Sequence, residues 1–579
     1  MRHFRVWAPS AQQVEIVLGD ERRAMVRGAR GWWSVELPFD ADGRDYAYSL
    51  DGSEPLPDPR SPCQPNGVHA ASRAVSHEGF DWHDVGFQAP PLAAAVIYEL
   101  HVGTFTAEGT FESAIARLDH VRGLGVTHVE LMPVAAFPGS HGWGYDGVDL
   151  FAPYEPYGGP DGLKRLVDAC HARGLAVLLD VVYNHFGPSG NYVGRFGPYF
   201  TDRYLTPWGS AVNYDDAGSD EVRRFVIDNA LMWLRDYHVD GLRLDAVHAI
   251  HDESALHLLE ELAAEVHALA ARLGRHLVVI AESDLNDPRL LRAVEAGGYG
   301  LDAQWSDDFH HALHAVLTEE SHGYYADFGT LADLARAICR AYVYDGRYSA
   351  YRERRHGRAA DGLDAGRFVV FAQNHDQIGN RAAGERLAHL VSEGRARIAA
   401  ALVLTSPYVP LLFQGEEWAA TAPFQYFTAH EEAELADAVR EGRRKEFAAF
   451  GWGDDVPDPQ ARETLLRSKL DWGEVEHAPH AAMLDWHRDL IRLRRSVPDL
   501  ADPRRSRAAA TFDEQAQWFV LSRGDVAVAC NLASSRQRVP LPPGPARDVL
   551  LASPGAHAEE ASVVLEPDGV AVLGPRSTR

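Results

Sequence analysis

The chain has 579 residues, 46% of them hydrophobic and 24% charged, a composition that builds a large buried core and excludes a disordered or fibrous protein. Lysine and arginine number 56 against 83 aspartates and glutamates, a formal net charge of −27; a field of that sign repels phosphate and anionic lipid and argues against nucleic acid and membrane surfaces as main partners. Cys63, Cys170, Cys339 and Cys530 form no CxxC pair, so neither a zinc site nor a disulfide scaffold is expected, and a reducing cytoplasm suits them. The start, MRHFRVWAPS, has no apolar signal core, and no uncharged apolar run of about 18 residues follows.

Residues 1–90 read as short strands between turns: FRVWAP, VEIVLGD, WWSVELP and YAYSL alternate apolar and polar residues, which predicts a small β-sandwich. Prolines 55, 57, 59, 62 and 65 and the pair Pro90 and Pro91 mark a boundary. Over 91–497, apolar runs alternate with helical periodicity. The candidate strands are VIYELHV, VTHVELMPV, AVLLDVVY, GLRLDA, LVVIAE, LDAQWS, FVVFAQ and VPLLFQG. Leu163, Leu166, Val167 and Cys170 space as one helix face, and Val222, Phe225, Val226, Trp233 and Leu234 as another. Strand and helix alternating in this way predict an α/β protein built on a (β/α)8 TIM barrel, enlarged by an inserted segment at 185–220 that is rich in Gly, Pro and Tyr. Residues 498–579 return to strand alternation in QWFVLS and VAVACNL and are expected to form a C-terminal β domain.

In such a barrel the C-terminal ends of the strands face the substrate. Asp180, Asp245, Glu282 and Asp376 stand at four of them. One such Asp alone is a helix cap more often than a catalyst, but four converging acids repel one another and need a reason to meet. Arg243, two residues before Asp245, faces the same way on a strand of period two and can hold that carboxylate ionised. His185 and His375 stand beside the acids, and neither a Ser nor a Cys nucleophile motif is present. The set suits acid, base and carboxylate chemistry on a neutral polar substrate.

DVVYNH (Asp180 to His185), GLRLDAVH (Gly241 to His248), VVIAES (Val278 to Ser283) and FAQNHDQ (Phe371 to Gln377) resemble, in order, four short regions of the α-amylase superfamily of glycoside hydrolases. The segment FRVWAPSAQQVEIVL is similar to the N-terminal β domain of its glycogen branching and debranching members. The resemblance implies that Asp245 is the nucleophile, Glu282 the general acid and base, and Asp376 the carboxylate that stabilises the transition state. The first two would lie about 5 to 5.5 Å apart, as retaining hydrolysis requires. It further implies that His185 and His375 bind sugar hydroxyls, with Asp180, Arg243 and Gln377 in the same site, and that Tyr145, in the loop His141 to Gly159, stacks on the reacting sugar. Trp143 is left open between stacking and packing, and Trp32 and Trp33 are read as bracing strands rather than as glucan contacts.

Leu301 to Phe328, Pro423 to Phe447 and Asn374 to Leu387 resemble segments of the superfamily's trehalohydrolase family. This implies cleavage of the α-1,4 bond next to the terminal trehalose of a maltooligosyltrehalose, release of a maltooligosaccharide, and a functional link to a trehalose-forming synthase. Many α-amylases carry Lys then His at the third and fourth positions after the nucleophile. His248 and Ala249 stand there in this chain, so the leaving-group side is built differently. Asp308 and His311 are candidates for that side, a helix cap and a solvated helix residue being their plain alternatives. Asn184 matches one calcium ligand of the α-amylases, but no further oxygen ligands are identifiable, so no metal and no cofactor are expected. A branching or debranching enzyme, or a non-catalytic glucan-binding protein, is the alternative reading. The charged run Glu431 to Lys445 is read as a solvated helix.

Overall fold

The computed structural model describes residues 2–37, 42–449 and 456–576; Pro38 of the expected strand WWSVELP and the extreme ends of the two outer domains lie outside them. Eight parallel strands close a barrel: β1 Ile97–Leu100, β2 His128–Leu131, β3 Ala176–Val181, β4 Gly241–Leu244, β5 Val278–Ala281, β6 Ala303–Trp305, β7 Phe368–Val370 and β8 Val409–Phe413. Each falls inside one of the eight apolar runs. Closure is made by β8 against β1, with Leu411 opposite Ile97 and Phe413 opposite Glu99. The helices that matter below are α1 Gly159–His171, α2 Ser219–Asp236, α3 Asp307–Thr318, α4 Ala433–Ala449 and α5 His480–Ser496. The apolar faces of α1 and α2 bury Leu163, Leu166, Val167 and Cys170, and Val222, Phe225, Val226 and Trp233.

The lumen explains why the site sits at one end. Ile97, Leu178, Ile280, Val369 and Leu411 pack into one fully buried cluster. Side chains on a strand point inward every second residue, so the rows that supply this apolar plug continue upward as Ile97 to Glu99, Leu178 to Asp180 and Ile280 to Glu282. On β4 the row reads Gly241, Arg243, Asp245. The inward rows therefore switch from apolar to charged toward the C-terminal ends of the strands.

Two antiparallel sheets precede the barrel, one of Arg2–Trp7, Trp32–Leu37 and Val26–Arg27, the other of Glu21–Ala24, Val14–Leu18, Asp45–Leu50 and Ser72–Arg73. They are fastened to it by Trp32, read as a brace, and by Arg60. Trp32 Nε1 donates to Glu221 on α2 at 2.9 Å, and Arg60 pairs with Asp228 on the same helix at 2.8 Å. Trp33 is buried and donates to the Ala8 carbonyl. The segment after β3 carries a hairpin, Phe200–Thr206 with Gly209–Val212, which leans over the strand ends. The expected solvated helix is α4, whose first turns are largely exposed. After α5 the C-terminal β domain is a five-stranded sheet, Ala508–Asp513, Trp518–Arg523, Val526–Asn531, Val570–Pro575 and Arg547–Ala552, covered by a three-stranded one. Among the described residues no helix is long and apolar enough to cross a membrane.

Candidate active site

One guanidinium organises the strand ends. Arg243, fully buried on β4, places Nη1 2.7 Å from Asp180 Oδ2 and 2.9 Å from Asp245 Oδ1. Its Nη2 lies 2.9 Å from Glu282 Oε2. The guanidinium itself lies over the ring of Trp305 at 4.4 Å, a cation–π contact that fixes its plane from below. Carboxylates from β3, β4 and β5 thus share one cation, and Asp245 and Glu282 face the same small volume.

Each acid is held further. Asn184 Nδ2 donates to Asp245 Oδ2 at 2.7 Å and to the Asp245 carbonyl at 2.8 Å. Its Oδ1 pairs with His185 Nδ1. Both amide atoms of Asn184 are therefore engaged within the site. Glu282 Oε2 also accepts from the Ala246 amide at 2.6 Å. Ala246 reaches that geometry in a left-handed conformation, φ 38° and ψ 51°, which costs a non-glycine residue about 1–3 kcal/mol and is characteristic of functional sites. Oε2 is thus the oxygen engaged by the Ala246 amide and by the Arg243 charge.

Asp180 is pushed up to about 7 by burial, which the adjacent Arg243 opposes and Asp245 reinforces. Its Oδ2 also accepts from the Tyr145 hydroxyl at 2.6 Å. Tyr145 lies against His375, ring centroids 5.2 Å apart, with its oxygen 2.7 Å from His375 Nε2. His375 Nδ1 lies 2.5 Å from Glu99 Oε1. Burial alone would lower the imidazolium's pKa, but Asp376 and Glu99 outweigh it and push His375 up to about 9. Protonated on both nitrogens, it donates to Glu99 and to Tyr145. A histidine raised in the folded state stabilises fully below its unfolded value of about 6.5 and loses that contribution as pH climbs through about 9. The melting temperature of the parent should therefore exceed that of Glu99→Gln by several degrees at pH 6, and the gap should shrink toward pH 9.5 in paired thermal scans. A gap that stays constant over this range would contradict the charged pair.

His185 is buried, its pKa lowered by that burial against the pull of Asp245 and Asp146. It stacks on Trp208 of the hairpin, centroids 4.4 Å apart and rings 2° from parallel, while Trp208 keeps half its surface exposed. Asp376 stands in the first turn of the short helix His375–Gly379, one third exposed. Trp143 proves to be packing: it stacks on Phe424 at 5.1 Å, donates to the Gln425 carbonyl at 3.0 Å, and lies so close to Gly379 that a Cβ there would stand 2.0 Å from its ring. His248 is exposed on the turn Val247–Ala249 that follows Asp245.

Of the expected site residues, Asp308 and His311 are engaged elsewhere, and Gln377 uses its amide oxygen within its own helix. Gln377 Oε1 accepts from the Asn374 amide at 3.0 Å, closing the capping box of its helix. Asp308 is buried, and its Oδ2 accepts from Asn286 Nδ2 and from the amides of Val343 and Tyr344 at 2.6 to 2.8 Å; it ties α3 to the loop beyond it. Burial pushes Asp308 up to about 6 against those donors. His311 packs among Tyr324, Tyr325 and Phe328, its pKa driven down to about 3 by burial and His314. In the neighbouring Asp307, burial first, then the carboxylates of Glu282, Asp284 and Asp376, raise the pKa well above the ordinary range. Adjacent helical residues point about 100° apart, so the two aspartates cannot share a role. Asp307, Glu99 and Trp208 were not singled out from sequence. A charge inside the apolar run VIYELHV was the available signal for Glu99.

Comparison with known proteins identifies the family. Residues 76–197 match the family model "Alpha amylase, catalytic domain", residues 2–62 match "Carbohydrate-binding module 48 (Isoamylase N-terminal domain)", and residues 503–572 match a domain of unknown function, DUF3459. The chain is 53% identical to the malto-oligosyltrehalose trehalohydrolase of Arthrobacter ramosus over 99% of both chains. It is 50% identical to that of Mycobacterium tuberculosis CDC 1551 over 93% of this chain and 94% of the other. A crystal structure from Salmonella typhimurium described as an alpha amylase superposes with a TM-score of 0.91 at 38% identity, covering 99% of this chain and 97% of that one.

Proposed function

The chain belongs to the malto-oligosyltrehalose trehalohydrolase family of α-amylase-type glycoside hydrolases, and from that membership we propose a retaining hydrolysis in which Asp245 and Glu282 divide the chemistry. The observation that supports it most is the single Arg243 guanidinium contacting Asp180, Asp245 and Glu282 together. Asp245, its oxygens held by Arg243 and Asn184, attacks the anomeric carbon of the glucose next to the terminal trehalose. The bond to the trehalose oxygen breaks as Glu282 gives that oxygen its proton, and trehalose leaves. Glu282, now a carboxylate, takes a proton from water; the resulting hydroxide attacks the same carbon, frees Asp245 and releases a maltooligosaccharide.

Asp376 holds hydroxyls of the reacting sugar as its ring flattens, and the positively charged His375, its N–H groups on Glu99 and Tyr145, adds its charge beside them. Tyr145 offers the ring a flat face, and Arg243 and Asp180 keep the acids in register beneath it. Asp307 takes the leaving-group role first read for Asp308, and the exposed His248 lies on that side too. The substrate is a maltooligosyltrehalose, so an enzyme that converts the reducing end of a maltooligosaccharide into trehalose must supply it, and a functional link to such a synthase is expected. The four unpaired cysteines favour a reducing compartment, the cytoplasm.

Incubation with maltotriosyltrehalose and, separately, maltopentaose tests the reading. Trehalose and maltotriose should appear from the first at a rate at least tenfold above any cleavage of the second. Equal or faster cleavage of maltopentaose, or transfer to form new branches, would refute it.

A further inference from the structure

Beneath the catalytic acids, the barrel lumen holds a buried polar layer whose hydrogen bonds do not close. Glu130 on β2 is 1% exposed and stands in register with Glu99 on β1 and Leu178 on β3, one inward step below Asp180. Neither of its carboxyl oxygens has a hydrogen-bond partner. Just above it, Asp180 Oδ1, Arg243 Nε and Nη2 and Trp305 Nε1 are buried and equally without a hydrogen-bond partner. These needs are complementary: Asp180 lacks a donor, while Arg243 and Trp305 lack an acceptor.

A protonated carboxyl meets both, having one O–H to donate and oxygens that accept. An ionised one does not, and here it would face Glu99 and Asp180. Burial above all, with those two carboxylates adding to it, raises Glu130 well above the ordinary range, although Arg243 and His375 pull the other way. That shift favours the neutral carboxyl. None of its oxygens contacts Asp180 or Arg243 directly, and a buried water with two to four polar partners is the usual bridge in such a pocket.

We infer that Glu130 is a positioning residue for the reaction: through a buried water it joins Asp180 Oδ1 to the Arg243 guanidinium and so fixes the angle at which Arg243 meets Asp245 and Glu282. A leucine of similar size would remove the two unmet carboxyl oxygens but leave Asp180 Oδ1, Arg243 Nε and Trp305 Nε1 without the group that joins them, a cost of about 1–3 kcal/mol. What the carboxyl supplies is orientation, and small misplacements of catalytic groups cost about 100-fold in rate.

The inference rests on the hydrolytic reading of the site, so the parent enzyme is assayed first: a parent that releases no trehalose refutes that reading, not this one. With an active parent, Glu130→Gln, which keeps a donor and an acceptor, should hold kcat within about threefold. Glu130→Leu should lose roughly 30-fold or more in kcat with KM within about threefold, while melting only a few degrees below the parent. Activity and stability would then move apart, which a merely structural residue would not allow. Near-parent kcat in Glu130→Leu overturns the inference, as does Glu130→Gln as slow as Glu130→Leu with both folded. Should Glu130→Leu not fold, Glu130→Gln decides: parent-like kcat supports the inference, and a 30-fold loss at a parent-like melting temperature overturns it.

Discussion

Asp245→Ala should lower kcat for trehalose release by about 10³- to 10⁵-fold, or roughly 4 to 7 kcal/mol of transition-state stabilisation, and Glu282→Gln by a similar amount. Neither should abolish oligosaccharide binding, because Tyr145, His185, His375 and Asp376 are untouched. The two losses differ in kind. Glu282 gives a proton to the departing oxygen, so a substrate whose leaving group needs none, such as a glucosyl fluoride, should recover much of the first step in Glu282→Gln. Asp245→Ala has no oxygen to attack the anomeric carbon and should gain nothing from the better leaving group. Steady-state rates of both variants on both substrates separate the roles. Recovery in Asp245→Ala but not in Glu282→Gln would reverse the assignment, and near-parent rates in either would remove that residue from the chemistry.

The barrel was legible in sequence because its strands carry their own punctuation. AVLLDVVY and FVVFAQ are buried on both faces and read as apolar runs, and the acids that end them mark the functional face. Arg243 was legible as the partner of Asp245, since residues two apart on a strand point the same way. That it also reaches Asp180 and Glu282 was not, because the register between β3, β4 and β5 is a tertiary fact: Asp180 lies opposite Arg243, and Arg243 opposite Ile280.

The misreadings have local causes. Asp308 was chosen over Asp307 although a single helical step separates them, and only the first turn of α3 decides which one the loop at Val343 and Tyr344 captures. Gln377 matched a family motif, and its amide oxygen also closes a helix cap, a role no motif distinguishes. Glu99 and Glu130 sit in VIYELHV and VTHVELMPV, where a lone charge in a strand reads as an outward residue; only barrel closure turns both inward. Asn184 was weighed as a metal ligand because the family uses it so, and the position of Asp245 shows why it is engaged otherwise here.

Arg243 is where loss of a single side chain should damage stability and catalysis together. Taking its guanidinium out of water carries a large desolvation cost, and the structure offsets it with three carboxylates and the face of Trp305. Arg243→Ala leaves Asp180, Asp245 and Glu282 facing one another across a buried volume with no cation between them, and breaking a buried ion pair from one side costs about 3–5 kcal/mol. Asp180, already at about 7 with the arginine present, would rise further. The variant should melt several degrees below the parent and lose at least about 10³-fold in kcat. Arg243→Lys separates charge from geometry. A lysine restores one positive charge but presents a point rather than a planar fork, so it can approach one carboxylate and not hold three in register. It should recover part of the lost melting temperature while kcat stays at least about 100-fold down. If Arg243→Lys instead regains parent-like turnover, positive charge alone suffices under the acids, and the shared contact of one guanidinium with three strands is not what aligns them.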